Sequence, residues 1–212
     1  MEYFNYKDVT PELDSCVLPY LDDIRREIAA VTSEHWATWP EYDDLIYRGP
    51  GAQAWTVLPL LHTFPGYDET KRVWVPTFTA LCPVTTACMR GVPGIRSALL
   101  SKMAPLTMLT PHCGWAELSN YVLRIHVPIA LPPPREDGLP STGVVVDGVV
   151  RHHVADEPLV FDDSKSHFAF NRHETADRIV LIIDVLRPFH VPCGTSTVPY
   201  THELVQFANW FK

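Results

Sequence analysis

Six segments between residues 97 and 186 exclude most architectures for this chain: SALLSKMAPLT, YVLRIHVPIAL, TGVVVDGVV, EPLVFDDS, SHFAFN and RIVLIIDVL. Each is short and rich in β-branched and aromatic residues, and Pro, Gly, Asp or Asn separates it from the next. No helical period lies between them, so βαβ units with a parallel sheet are excluded and antiparallel pairing remains. In VDGV, Asp147-Gly148 supplies a two-residue hairpin turn between valine-rich arms. The pattern predicts a mainly β fold with flanking helices: a double-stranded β-helix of the jelly-roll or cupin type. An immunoglobulin-like sandwich is the second choice, but it leaves the polar residues inside these strands unexplained.

The flanks have a different period. Residues 11 to 32 read as the longest helix, with Thr10 as cap, Pro11 in the first position and Val17, Leu21, Ile24 and Ile28 at helical spacing. Residues 43 to 78 alternate short apolar runs with turns such as RGPG and FPGYDE, as strands and loops do. ALCPVTTACMR reads as a short helix with Pro83 in its first turn, and ELVQFANWF sets Leu204, Phe207, Ala208 and Phe211 on one helix face. The 212 residues are expected to form a single domain: an N-terminal helical arm (1–50), a β core (53–192) and a C-terminal helix (193–212).

Composition narrows the function classes. The net charge is -8 and the Lys and Arg residues are scattered, which argues against nucleic acid as a partner. No apolar run reaches membrane-spanning length, and MEYFNYKDVTPELD is unlike a signal peptide, so the expected compartment is the cytosol. The five cysteines are widely spaced without a C-x-x-C pair, which excludes a disulfide framework or zinc finger.

The polar residues inside the strands point to chemistry. On an alternating strand, Val122, Arg124, His126 and Pro128 share one face, and Leu123, Ile125, Val127 and Ile129 share the other, which must meet a core. FDDSKSHFAFN sets Asp162 and Asp163 before His167. Two histidines in separate strands, 41 residues apart, with carboxylates beside one of them, suit non-heme Fe(II). A bland reading, an exposed edge for His126 and a hydrogen-bonded core residue for His167, competes with it. Arg178 opens RIVLIIDVL and shares a face with Val180, Ile182 and Asp184. A cation at the start of a buried strand needs a carboxylate, either Asp163 or Asp177 or that of a ligand held by a two-pronged clamp. Arg178 stands 11 residues after His167, a hairpin's length, so adjacent strands would aim both into one cavity.

TPHCGWAELSNYVLRIHVPIALP, LVFDDSKSHFAF and RIVLIIDVLRP together resemble the aspartyl/asparaginyl β-hydroxylase family, with its PHxG, Asn, LRxHLxL, FDDSxxH, R-x-x-L and DVxxP sequence of motifs. CPVTTACMRGVPGIRSALLSKMAPLTMLTPH resembles the segment before them, and the likeness covers roughly residues 53 to 192. The resemblance implies a double-stranded β-helix that binds Fe(II) and 2-oxoglutarate. By position it implies His126 and His167 as metal ligands, Asp163 as a second-sphere residue near the metal waters, Arg178 as the partner of the distal carboxylate of 2-oxoglutarate, and His112 and Asn120 as polar positions lining the pocket. Pro128 stands where most relatives outside this family carry a third, carboxylate ligand. Two departures stand out. Val145 occupies the place of a basic residue that often helps to hold the cosubstrate, with Arg124 or Arg151 as candidate substitutes, and His152 and His153 replace an aromatic position and read as loop residues.

The implied reaction is oxidative decarboxylation of 2-oxoglutarate to succinate and carbon dioxide by dioxygen, coupled to oxidation of an unactivated C–H bond by hydroxylation, desaturation or ring closure. Lacking the extension and anchor expected of a secretory peptide hydroxylase, the chain is expected to act on a free small molecule, such as an amino acid or a natural-product intermediate. A peptide Asp/Asn β-hydroxylase is the alternative. A cupin-type metal isomerase or epimerase would have no use for Arg178, and a non-catalytic binding module would tolerate loss of either histidine. A halogenase would need a halide site beside Pro128, for which there is no signal.

Overall fold

The computed structural model describes residues 1–41, 47–48, 54–135 and 137–210, with 47, 48 and 210 as backbone only. Tyr42, the Tyr47 ring, Phe211 and most of the RGPG turn lie outside them. In chain order the strands are β1 (Tyr3–Phe4), β2 (Ala37–Thr38), β3 (Tyr47–Arg48), β4 (Trp55–Thr63), β5 (Arg72–Trp74), β6 (Ile95–Met103), β7 (Thr107–Leu109), β8 (Val122–Ala130), β9 (Thr142–Val146), β10 (Val149–His152), β11 (Leu159–Phe161), β12 (His167–Asn171) and β13 (Arg178–Leu186). The helices are α1 (Tyr6–Val9), α2 (Leu13–Cys16), α3 (Leu21–Ala29), α4 (Pro76–Leu81), α5 (Pro83–Arg90), α6 (Ala116–Ser119) and α7 (His202–Trp210).

From β6 onward the chain passes back and forth between two antiparallel sheets. The larger runs β1-β11-β8-β13-β6-β4-β2, with β5 also on β4, and the smaller runs β10-β9-β12-β7-β3. Thus β6, β8, β11 and β13 fall in one sheet, and β7, β9, β10 and β12 in the other. This interleaving is the double-stranded β-helix. The Asp147-Gly148 turn joins β9 to β10 with both residues at positive φ (46° and 80°), the geometry a two-residue hairpin of this hand requires. His167 and Arg178 are not on hairpin partners: β12 pairs β9 and β7, whereas β13 pairs β6 and β8. Residues 172–177 cross from one sheet to the other, so the two side chains line one cavity from opposite sheets.

Two cores fix the register. Leu123, Ile125, Val127 and Ile129 of β8 and Leu181, Ile183 and Val185 of β13 pack on the outer face of the larger sheet against Ile24 and Ile28 of α3, Phe78 of α4 and Met89 of α5. The opposite face looks into the barrel, where Val57, Met103, Val144, Val146 and Phe161 pack together. Each of those outer aliphatics contributes about 1.5–3 kcal/mol on burial. A one-residue slip of β8 would exchange them for Arg124 and His126, so the register that holds the site is set by the core.

The expected helix over 11–32 is broken. It becomes α2, a 3-10 turn over Leu18–Tyr20, and α3. Pro19 lacks an N–H and excludes the α-helical hydrogen bond at that point. The nine residues of α3 still present Leu21, Ile24 and Ile28 to the core. Glu27 of α3 accepts the backbone N–H groups of Val84 (2.7 Å) and Thr85 (2.9 Å) and so caps the first turn of α5.

Candidate active site

The mouth of the barrel is built on one cross-strand contact. His112 and His167 exchange backbone hydrogen bonds in both directions (3.0 and 2.8 Å), and their rings stand 4.4 Å apart. Each ring donates Nδ1–H to a carbonyl two residues earlier, His112 to Thr110 (2.7 Å) and His167 to Lys165 (2.8 Å). A carbonyl oxygen can only accept, so Nδ1 carries a proton in both rings, and a neutral His112 keeps a lone pair on Nε2. Burial, with the nearby His167, pushes the His112 pKa down to about 3, which keeps its ring neutral.

Asp163 lies beside this pair. It is fully buried, forms an ion pair with Arg124 and has His167 Nε2 3.2 Å from Oδ1. Neither carboxylate oxygen has a hydrogen bond of ordinary geometry. Burial alone would raise the carboxyl pKa; the Arg124 charge, followed by His167, reverses this and holds it well below the usual carboxylate range. The glycine of PHCG makes room for this group: a Cβ on Gly114 would come within 2.0 Å of Asp163 Oδ2. Arg124 is fully engaged, since Nε and Nη2 also form a two-pronged pair with Asp184 on the neighbouring strand (2.8 and 2.9 Å).

His126 lines the same interior but makes different contacts. Deeper in the barrel, Arg178 Nη2 donates to His126 Nδ1 (3.1 Å) and lies 3.4 Å from His153 Nε2. The two rings stack at 5.5 Å, with His126 Nδ1 and His153 Nε2 3.2 Å apart, and His153 Nδ1 meets the Thr142 hydroxyl at 3.2 Å. Burial, then the Arg178 charge, holds both imidazoles well below their ordinary pKa, so both are neutral. A guanidinium cannot accept a hydrogen bond, so His126 Nδ1 is an acceptor and its proton sits on Nε2. This leaves His126 Nε2–H as a donor toward the barrel cavity.

Arg178 is 1% exposed, and burial pulls its pKa down to about 9. Its remaining contact is Ser101 Oγ at 3.5 Å, and Nε has no partner. Among the described residues no carboxylate pairs with it: Asp163, one of its two expected partners, is engaged by Arg124. Arg178, His126, His112 and His167 all line one narrow cavity of about 40 Å³. A larger one of about 370 Å³ adjoins it, with His112, Arg124, Trp55 and Ile182 on both walls.

Other expected positions do different work. Asn120 closes both ends of its amide on Ser196, donating to the carbonyl (2.9 Å) and accepting from the N–H (2.8 Å), which ties down the segment before α7. Asp162 pairs with Arg187 and accepts from Ser164. Val145 is on the outward face of β9, between the inward Val144 and Val146, and Arg151 lies over the Tyr3 ring at 5.0 Å. His153 is only 4% exposed and is no surface loop residue. A signal for it existed: consecutive residues of an extended arm point to opposite faces, so one of His152 and His153 had to turn inward.

The residues present suit both groups of the implied cofactor set. Two adjacent imidazoles whose Nδ1–H groups are spent on carbonyls, with a buried carboxylate beside them, suit a divalent metal. A buried, unmatched guanidinium beside an imidazole N–H suits a carboxylate. Among the described residues no three His, Cys, Asp or Glu side chains are disposed to hold a metal ion together. Also among them, no helix is long and apolar enough to cross a membrane.

The ornithine lipid ester-linked acyl 2-hydroxylase of Rhizobium tropici is 31% identical over 129 residues, 61% of this chain and 39% of that protein, so the match spans about two fifths of the relative's length. Among solved structures, a Pseudomonas putida prolyl-4-hydroxylase is similar at 14% identity over 85% of this chain and 98% of its own, with a TM-score of 0.46. An oxidoreductase of the 2OG-Fe(II) oxygenase family from Burkholderia pseudomallei is similar at 13% identity over 85% and 94%, also with a TM-score of 0.46. The sequence profile described as aspartyl/asparaginyl beta-hydroxylase matches residues 20–188, well over half of the chain, and this chain belongs to that family.

Proposed function

We propose that this protein is an Fe(II)- and 2-oxoglutarate-dependent oxygenase that hydroxylates an unactivated C–H bond. The observation that carries the reading is Arg178, a guanidinium buried to 1% exposure without a carboxylate partner among the described residues. Such a group is strongly disfavoured unless an anion meets it. A metal isomerase or epimerase on this barrel would have no need of it.

In this reading the metal ligands are His112 and His167, in place of the pair His126 and His167. The adjacency of the first two rings, each with Nδ1–H spent on a carbonyl, favours them; His126, beside Arg178, is suited to meet the distal carboxylate of 2-oxoglutarate. Asp163 orders the small ligands beside the metal, and Arg124, held by two carboxylates, keeps Asp163 in position. Bound iron supplies activation of dioxygen. The balance is one C–H bond, one dioxygen and one 2-oxoglutarate in; one C–OH, one succinate and one carbon dioxide out. The rhizobial relative is named for acyl hydroxylation, which supports a small-molecule or lipid substrate over a peptide.

The test is an anaerobic titration of the purified protein with Fe(II), then 2-oxoglutarate, followed by visible absorption. The expected result is a weak charge-transfer band that requires both additions and is lost in Arg178→Ala. Metal binding without 2-oxoglutarate binding would sink the oxygenase reading in favour of metal chemistry of another kind.

A further inference from the structure

The larger cavity carries information about its occupant. Trp39 stacks between Trp55 (centroids 4.8 Å apart, planes at 25°) and Trp115 (5.9 Å, 20°), and Phe64 stands edge-on to Trp115 at 6.1 Å. Leu204 and Phe207 of α7 line the same space. The charged groups on this wall are already engaged, by ion pairs or by hydrogen bonds. Arg124, its one Arg or Lys among the described residues, is held by Asp163 and Asp184, and Asp184 also accepts from Ser97. Glu41, 4% exposed, accepts the indole N–H of Trp115 (3.0 Å) and of Trp39 (3.3 Å) and the Thr201 hydroxyl (2.5 Å).

A carboxylate-bearing substrate, a free amino acid included, would give up its hydration in this space without meeting an unengaged Arg or Lys among the described residues. A hydrocarbon would gain by leaving water, and the indole and leucine walls cost nothing to desolvate further. The cavity adjoins the narrow one at His112 and Arg124, so an occupant reaches the candidate metal position end-on.

We propose that this cavity is the substrate site and that it takes an uncharged hydrocarbon segment of the acyl or alkyl class, with a C–H bond brought beside His112 and Asp163. The chemistry done there rests on the oxygenase reading; the binding does not. A free amino acid is thereby disfavoured as the substrate.

Trp39, Trp55 and Trp115 make the test direct. The full chain, free of metal and 2-oxoglutarate, is titrated with 1-decanol, and separately with L-aspartate and L-asparagine, while indole fluorescence is recorded. Decanol is expected to give a saturable shift and the two amino acids none. Ala208→Leu and Leu204→Phe, which fill the cavity from α7, are expected to weaken decanol binding at least tenfold with unchanged circular dichroism; either variant suffices if the other misfolds. A saturable response to the amino acids, no response to decanol, or undiminished decanol binding in a folded variant would overturn the proposal. If decanol binds but the iron and 2-oxoglutarate band is absent, the oxygenase reading fails alone; the converse result removes only the substrate class.

Discussion

His112 and His167 are 55 residues apart in sequence, yet they bond to each other's backbone in both directions and hold their rings 4.4 Å apart. Each spends its Nδ1 proton on the carbonyl two residues before it. The same local device, used twice across one strand contact, holds both rings in place at the barrel mouth before any ligand arrives.

If these are the metal ligands, His112→Ala and His167→Ala each lower the affinity for Co(II), used as a spectroscopic substitute for iron, by more than about 100-fold. His126→Ala retains Co(II) binding and loses 2-oxoglutarate affinity. Titration of the three variants decides the matter. Metal loss in His126→Ala with retention in His112→Ala would restore the other pair.

Arg178 offers an unusual combination. Arg178→Met is expected to weaken 2-oxoglutarate binding about 100-fold, in line with roughly 3 kcal/mol for a charged hydrogen-bonded contact. The metal-free variant is expected to be as stable as the parent or more so, because a buried cation without a carboxylate partner is removed. Calorimetric binding and thermal unfolding together check both halves. A strongly destabilised variant would mean that Arg178 is a structural residue.

Gly114→Ala probes the fit around Asp163. The added methyl would lie 2.0 Å from Oδ2, and the backbone there is already fixed by the Gly114 N–H bond to the Asp163 carbonyl (2.8 Å). Overpacking of this kind costs about 1–3 kcal/mol. Urea unfolding should register that loss, and Co(II) affinity should fall with it as the carboxylate moves. Parent-like values for both would show that the side chain is not confined there.

The buried histidines set a pH dependence. His126 and His153 are neutral in the folded protein, by burial first and then by the Arg178 charge, while their ordinary value is 6.5. Below that value the unfolded chain binds more protons than the folded one. Stability therefore falls as pH drops below about 6.5, each histidine contributing up to about 1.4 kcal/mol per pH unit. Denaturation midpoints of the metal-free protein across mildly acidic pH should slope accordingly, and His153→Gln should flatten the slope. A slope unaffected by that substitution would show that His153 is already protonated or exposed.

Much of the scaffold was legible in the chain itself. The alternation in YVLRIHVPI separated the aliphatics of β8 from Arg124 and His126, and the same rule put Arg178 and Asp184 on one face of β13. Period two and the Asp147-Gly148 turn are local properties, enforced by covalent geometry and by the need to bury one face. Where local signals conflicted, the reading failed: the apolar period over residues 11 to 32 outvoted Pro19, which breaks the helix.

The sequence by itself determined the strands, the faces and the inventory of polar groups for the barrel interior. It did not determine which of those groups meet. His126 and His112 are both histidines within reach of FDDSKSH, and only the strand pairing sets His112 against His167 and sends His126 to Arg178 and His153. Asn120 lies close to both in sequence but closes on Ser196 instead. Alternation assigns a side chain to a face; its neighbours across a barrel come from sheet order, and that order is fixed by the summed burial of both cores, to which no single segment holds the key.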